Sequence, residues 1–599
     1  MLFLIGFFIQ SSAQDKKNKS DSTAVYQDIY DYSQKRKSTK FLHKFLFRPI
    51  NAKTPSKSVK NTTIIAHGSY EGKIIRRIII TTLDPFGYSV DDTLKTPTEK
   101  LSKFGNSIHL KTKKGTIKDL LLFKENQAYD SLKITESERL IRSQRYTRRV
   151  RVVPVPNTAN DSVDITIRVL DSWSLIPNGS LSSSSGSVKL TERNLFGFGH
   201  QVSGAYKERF SDHAKEVTGN YTIANIKNSY IKLELGYDRD YDNNSSRSIS
   251  VTRNFYSPLT KWAGGFDFKN ESKNEEFYYV IPDSVPSPNL RFDYYDAWLG
   301  RAFQLSKATN NISRNTRAIA AITFNNYYYK SVPEPLFNPE NFFSNACNVI
   351  GHIGLTTQKY YQDKFLFNYD IIEDVPYGNI LALTFGYQDK NATDRVYIGS
   401  KIAYGNRFSF GYLSGAAQWG SFLNGNLPRQ TALKIDFVYF TDLISLGRWK
   451  IRQFIKPSYV WGKDRYPTEK DKLNLDNQWG IEGFDSPVNG TQKWVLNLQT
   501  QTYAPNMWKG FRFSPYANIA LGSVAEQDRL FKSKVYSKFS IGALINNDFL
   551  VFNSFQISLS YFPKIPTEGV NIFKTNSFEN GDLSIPNFQL DKPAYIEYR

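Results

Sequence analysis

Trp449-Lys450-Ile451-Arg452-Gln453-Phe454-Ile455-Lys456-Pro457-Ser458-Tyr459-Val460-Trp461 reads with a period of two. Trp449, Ile451, Ile455, Tyr459 and Trp461 share one face, and Lys450, Arg452, Lys456 and Ser458 share the other. The same division recurs in Leu433, Ile435, Phe437 and Tyr439 against Lys434 and Asp436. It returns in Phe555, Ile557, Leu559 and Tyr561 against Gln556, Ser558 and Ser560, and in Ile231, Leu233, Leu235 and Tyr237 against Lys232 and Glu234. A closed sheet in lipid produces this pattern: every backbone N–H and C=O must be paired, one face meets hydrocarbon and the other an aqueous interior. Soluble sandwiches and propellers also alternate. Three features favour a membrane barrel: 15% aromatic residues, alternating runs of about ten residues where soluble strands average about five or six, and an export signal.

That signal is Leu2-Phe3-Leu4-Ile5-Gly6-Phe7-Phe8-Ile9, followed by Ser11-Ser12-Ala13, with cleavage expected after Ala13. No positive residue precedes the apolar run, so the reading leaves the translation start open. No run of about 18 apolar residues occurs, which excludes a helical membrane protein. The single cysteine, Cys347, excludes an intramolecular disulfide and a cysteine-based metal site. The net charge of +21 is uneven: residues 15–175 hold 31 Lys and Arg against 17 Asp and Glu. A basic domain beside a membrane contacts anionic headgroups or acidic partners, or is simply a solvated surface. Export argues against nucleic acid as a partner.

Residues 14–69 read as a basic segment and linker; within it the near-helical spacing of Val25 to Phe47 fits a helix lying on the membrane or on the barrel mouth and, equally, a mobile linker with a short helix. Residues 70–173 read as a compact α+β domain. Lys73 to Ile80 is a strand broken by Asp84-Pro85-Phe86-Gly87. After an insertion of about 25 residues, long for so small a domain, Thr116 opens a short helix with Ile117, Leu120 and Leu121 on one face. Thr135-Glu136-Ser137-Glu138 has the form of a capping box for a second helix. Val150 to Val155 and Val163 to Val169 complete a β-α-α-β-β order, which predicts a sheet with both helices on one face.

This order, ending in Asp171-Ser172-Trp173-Ser174 and running directly into the alternating tract from residue 174 to 599, resembles the polypeptide-transport-associated (POTRA) domain and barrel of the Omp85 superfamily, surface antigen D15 type. Two further motifs carry the resemblance. Glu192, Asn194, Leu195, Phe196, Gly197 and Gly199 are similar to that family's first hairpin, where glycines supply positive φ. Ile481-Glu482-Gly483-Phe484 resembles the tip of the loop that folds back into the lumen, with Glu482 where the family has arginine. A carboxylate needs cationic partners, and Lys450 and Arg452 are the candidate loop anchors. Length predicts a transmembrane antiparallel β-barrel of about sixteen strands. Ala594, Ile596 and Tyr598 are expected on one face of a final strand.

The resemblance implies an integral outer-membrane barrel with a periplasmic domain. Its expected activity is to assist insertion of outer-membrane proteins, or to move polypeptide or lipid. Its implied partners are outer-membrane lipid, unfolded outer-membrane or secreted polypeptide clients, and periplasmic or lipoprotein accessory proteins. The Gly- and Ser-rich run Gly179 to Gly186 suits a weak first strand; a passive channel or ligand-binding barrel that has lost insertase activity is the alternative. No enzyme is expected: His43, His67, His109, His200, His213 and His352 lack metal-ligand spacing, and neither a Gly-x-Ser-x-Gly elbow nor a phosphate-binding loop occurs. Catalytic residues, metals and cofactors are accordingly read as none, and the acidic pairs Asp91-Asp92 and Glu373-Asp374 as solvated turns.

Overall fold

The computed structural model describes residues 67–98, 100–158, 161–181, 185–274, 289–305, 314–423, 429–475, 479–484, 488–508, 511–526, 529–547, 555–565, 573–575 and 585–599. The expected signal segment, the basic segment up to residue 66 and Ser182 to Ser184 of the Gly/Ser run lie outside these.

In the N-terminal domain the elements are β1 (Ile74–Leu83), α1 (Lys100–Ile108), α2 (Lys114–Lys118), α3 (Ser131–Arg142), β2 (Thr147–Pro156) and β3 (Ser162–Asp171). β3 is central, parallel to β1 and antiparallel to β2. Alternation explains its place: Val163, Ile165, Ile167 and Val169 all point into a core shared with Ile117, Leu120, Leu121, Ile134 and Ile141.

Two expectations are corrected here. The insertion after β1 carries a helix of its own, α1, whose Asn106 side chain accepts from the Phe86 N–H and donates to the Phe86 carbonyl. The helix is fastened to the turn that breaks β1, a tertiary contact invisible to periodicity. The second helix begins a turn before the expected capping box, because Asp130 is its N-cap and accepts from the N–H groups of Leu132 and Lys133. Thr135 lies inside the helix, its hydroxyl turned back to the Ser131 carbonyl at 2.9 Å.

From Leu175 onward the strands form an antiparallel sheet whose order is circular. The opening segment holds its predicted split. Arg452, Phe454 and Val460 face a crowded interior and are buried, while Phe437 and Trp419 on neighbouring strands are exposed on the outer face. Leu299, Ile322, Phe324, Ile353, Leu381, Leu383, Phe385, Ile402, Tyr404, Ile541 and Ile557 extend that outer apolar band, and buried Asn325, Asn348, Gln358, Gln388, Gln499, Gln501 and Ser540 mark the interior. Apolar outside and polar within is the inverse of a soluble core and fits a bilayer.

Among the described residues the ring runs through twenty-one strand segments, two of which, Thr431–Phe440 and Ile444–Leu446, lie end to end along Trp449–Lys463. The estimate of sixteen was therefore too low. Its basis was long connections, whereas several are very short: Asn391 and Ala392, at φ 54° and 53°, form a two-residue turn between strands of nineteen and sixteen residues. Register partners run through every neighbouring pair from Leu175–Leu181 around to Phe573–Thr575, and the ring order places these two strands side by side.

Candidate functional site: the lumen and the domain joint

The first hairpin is where the domain meets the barrel. Asn194 is fully buried, and its side-chain amide donates to the Thr112 hydroxyl at 2.9 Å and the Leu110 carbonyl at 3.4 Å. Its Oδ1 accepts from the Gly199 N–H at 2.8 Å, and its own N–H donates to Glu192. The Gly197 carbonyl accepts from the Lys113 N–H and the Thr116 hydroxyl. A Cβ on Gly197, at φ 77°, would lie 2.4 Å from the Lys111 carbonyl oxygen, so the glycine is required both by conformation and by approach. Phe196, also at positive φ, and Phe198 stay exposed, and Leu195 pairs with His200 across the turn.

Further hairpins at this end clasp the domain. Asn225 and Asn228 each donate to the Asp119 carbonyl at 2.8 Å. Arg314 grips Asp130 with both terminal nitrogens, at 2.9 and 2.6 Å. Arg139 donates to the Tyr256 carbonyl and stacks over Tyr360, and Arg142 meets Asp374 at 3.4 Å. This corrects the solvated reading of Glu373-Asp374, which open the strand Ile372–Lys390: Glu373 accepts from the N–H groups of Leu366 and Phe367. Spacing carried no sign of the clasp, since it joins residues more than a hundred positions apart.

At the far end, the connection between Lys463 and Gln492 turns into the lumen. Leu473–Asn474 and Asn489–Gly490 form a small ladder at its neck. Ile481 and Phe484, both fully buried, enter an interior cluster with Val460, Leu473, Leu475, Val495, Ala520, Val524, Tyr536 and Phe562. Phe484 meets Tyr536 edge-on at 5.1 Å. Gly483, at φ 80°, sits in a turn closed by the Phe484 N–H donating to the Ile481 carbonyl at 3.0 Å. Buried Lys538 donates to the Glu482 carbonyl at 3.0 Å. The expected anchors are engaged elsewhere: Arg452 meets Asp363 at 3.1 Å and the Thr441 and Lys364 carbonyls, and Lys450 lies over Phe365. Both stand near the domain end of their strand, whereas the loop enters from the opposite end.

The lumen holds a second segment, residues 585–599. The expectation of a final strand bearing Ala594, Ile596 and Tyr598 is corrected, because the segment carries no strand and climbs the inner wall. Phe588 and Leu590 pack with Phe255, Trp298, Ile319, Ile380 and Ala403 near the domain end. Lys592 pairs with Asp267 and Asp296, Tyr595 lies against Tyr397 and Phe422, and Tyr598 reaches the neck of the inward loop.

A sheet of this kind, apolar outside, polar within and fronted by a small α+β domain, defines a transmembrane β-barrel with an attached soluble domain. Residues 103–170 match the family described as "POTRA: Surface antigen variable number repeat". In this chain the POTRA match is joined directly to an antiparallel barrel. Similar solved structures include BamA from Haemophilus ducreyi lacking POTRA domains 1-3, at 11% identity with 85% of this chain and 83% of that chain covered and a TM-score of 0.29. CdiB from Acinetobacter baumannii is similar at 10% identity (94% and 98% covered, TM-score 0.34), and CdiB from Escherichia coli at 9% (94% and 98%, 0.38). No curated protein matches the sequence.

Proposed function

We propose that this chain is an outer-membrane Omp85-type barrel with its POTRA domain in the periplasm, and that it assists insertion of outer-membrane proteins or translocation of polypeptide or lipid. The observation that carries the reading is the joining of a POTRA match at residues 103–170 to a ring whose order sets its first and last strands, Leu175–Leu181 and Phe573–Thr575, side by side. Parting these two would offer unpaired backbone to an incoming strand.

The POTRA sheet supplies a second edge, β2, for an extended client, and periplasmic or lipoprotein partners would dock on the same domain. A passive channel is less well supported, because the inward loop and residues 585–599 both occupy the lumen. Depletion in the native host tests the reading. Loss of other barrels from the outer membrane is expected; unchanged outer-membrane protein levels together with a selective permeability defect would replace it with the channel.

A further inference from the structure

We infer that the inner wall of the barrel is a binding groove for an extended, aromatic-bearing polypeptide, and that residues 585–599 are its resident occupant, a plug that must leave before the lumen can conduct or accept another chain.

The wall is shaped to this segment. Four inward-facing glycines on four strands each lie beneath one of its side chains. A Cβ on Gly405 would stand 2.4 Å from the Phe588 ring, on Gly354 2.8 Å from Leu590, on Gly386 2.9 Å from the Tyr595 ring, and on Gly462 2.4 Å from the Tyr598 ring. Any larger residue at these places would fill the pocket. Glycines also sit beneath aromatic rings of the wall itself, as Gly542 does beneath Tyr516, but at these four the ring or leucine belongs to the segment, so it is the segment that occupies the space they leave.

Polar contacts fix the register between those pockets. The Thr356 hydroxyl donates to the Phe588 carbonyl at 2.6 Å, Gln358 donates to Asn587 at 2.6 Å, and Gln589 donates to the Phe255 carbonyl. Asp591 accepts from the Phe255 N–H at 2.9 Å. Lys592 lies between Asp267 and Asp296 at 3.1 and 2.9 Å. The Tyr595 hydroxyl donates to Asn348, and the Ile596 N–H donates to the Tyr397 hydroxyl at 2.9 Å. Arg465 covers the Tyr598 ring at 3.9 Å.

Reach agrees with a plug. From Phe588, packed against the domain-end turn at Phe255, to Tyr598 at Thr491 is ten residues, at most about 33–36 Å when extended. That is the thickness of the hydrocarbon core, about 30 Å. The contacts are hydrogen bonds, one half-buried lysine with two carboxylates, and aromatic rings over glycine. Any extended peptide with similarly spaced aromatics can make them, and none involves a strand ladder that would lock the segment in place.

The test uses the full chain in planar lipid bilayers beside a variant lacking residues 585–599. Removal is expected to raise single-channel conductance several-fold, and a synthetic peptide of residues 585–599 added to the variant is expected to restore the lower level. The same peptide carrying Tyr595→Ala and Tyr598→Ala is expected to need at least tenfold higher concentration. Should the truncated chain fail to fold, a protease site placed between residues 576 and 584 and cut after folding, followed by washing, gives the same comparison. A folded, plug-free barrel that conducts like the intact chain overturns the inference, as does a peptide that neither blocks nor binds. These readouts are independent of outer-membrane protein levels, so the plug and the insertase reading fail separately.

Discussion

The hydroxyl of Tyr598 donates to the carbonyl of Thr491 at 2.9 Å, joining the lumenal segment to the neck of the inward loop. Two parts of the chain separated by more than a hundred residues thus share one position at the far end of the barrel. Tyr598→Phe removes that bond and keeps the ring over Gly462. The expected cost is about 0.5–1.5 kcal/mol in docking of the segment, read as faster hydrogen exchange in residues 590–599 with the barrel strands unchanged.

Gly462→Ala goes further, since its new methyl would meet the Tyr598 ring. The ring, at the end of an unladdered segment, should yield before the strand does. Barrel melting, followed by heat-modifiable gel mobility, is expected to stay within about 1 kcal/mol of the parent. Protease sensitivity around residues 595–599 should rise. Gly219→Ala, in open space, should change neither.

Phe484 is enclosed by Tyr536, Phe562 and the rest of the far-end cluster. Phe484→Ala is expected to cost about 3–5 kcal/mol, released largely as detachment of the inward loop. A cysteine at residue 482 should then become labelled by a water-soluble maleimide at least tenfold faster. Equal labelling in both backgrounds would mean that the cluster does not hold the loop.

At the joint, Asn194→Ala removes three side-chain hydrogen bonds from a fully buried position and leaves the Gly199 N–H without its acceptor. A loss of about 2–4 kcal/mol in domain docking is expected. Proteolysis between residues 110 and 116 reports it.

The Asp130–Arg314 pair makes docking sensitive to acid. Burial pushes the Asp130 carboxyl up, but the hydrogen bond and charge of Arg314 and the Lys133 N–H outweigh it, so the group titrates below its ordinary 3.8. A depressed folded value contributes stability that is fully present above the unfolded value and lost as pH falls through the folded one. Distance measurements between spin labels on the POTRA domain and the barrel should be constant from pH 7 to about 5 and broaden below about pH 4. Arg314→Ala should abolish that component of the transition.

Much of this architecture was legible without coordinates. The period of two in Trp449–Trp461 assigned the lipid and lumen faces correctly, because a pleated strand leaves its residues only two directions to point. Asn194-Leu195-Phe196-Gly197 and Ile481-Glu482-Gly483-Phe484 stood out because glycine at positive φ leaves a trace in sequence. The start of α3 was misplaced because Asp130 and Thr135 both have N-cap chemistry and only the fold chooses between them. Lys450 and Arg452 were assigned the right face but the wrong height in the barrel, since strand periodicity gives direction and says nothing of which end a distant loop enters. The domain clasp and the lumenal segment were unreadable for a similar reason: each is a set of pairings between residues far apart in the chain.

What the sequence alone determined was local, namely strand period, turn glycines and the order of the small domain's main elements. What the tertiary structure decided was occupancy: Tyr598 lies in the lumen because closing the sheet creates a cavity lined with glycine pockets, and that cavity exists only once all the strands have met.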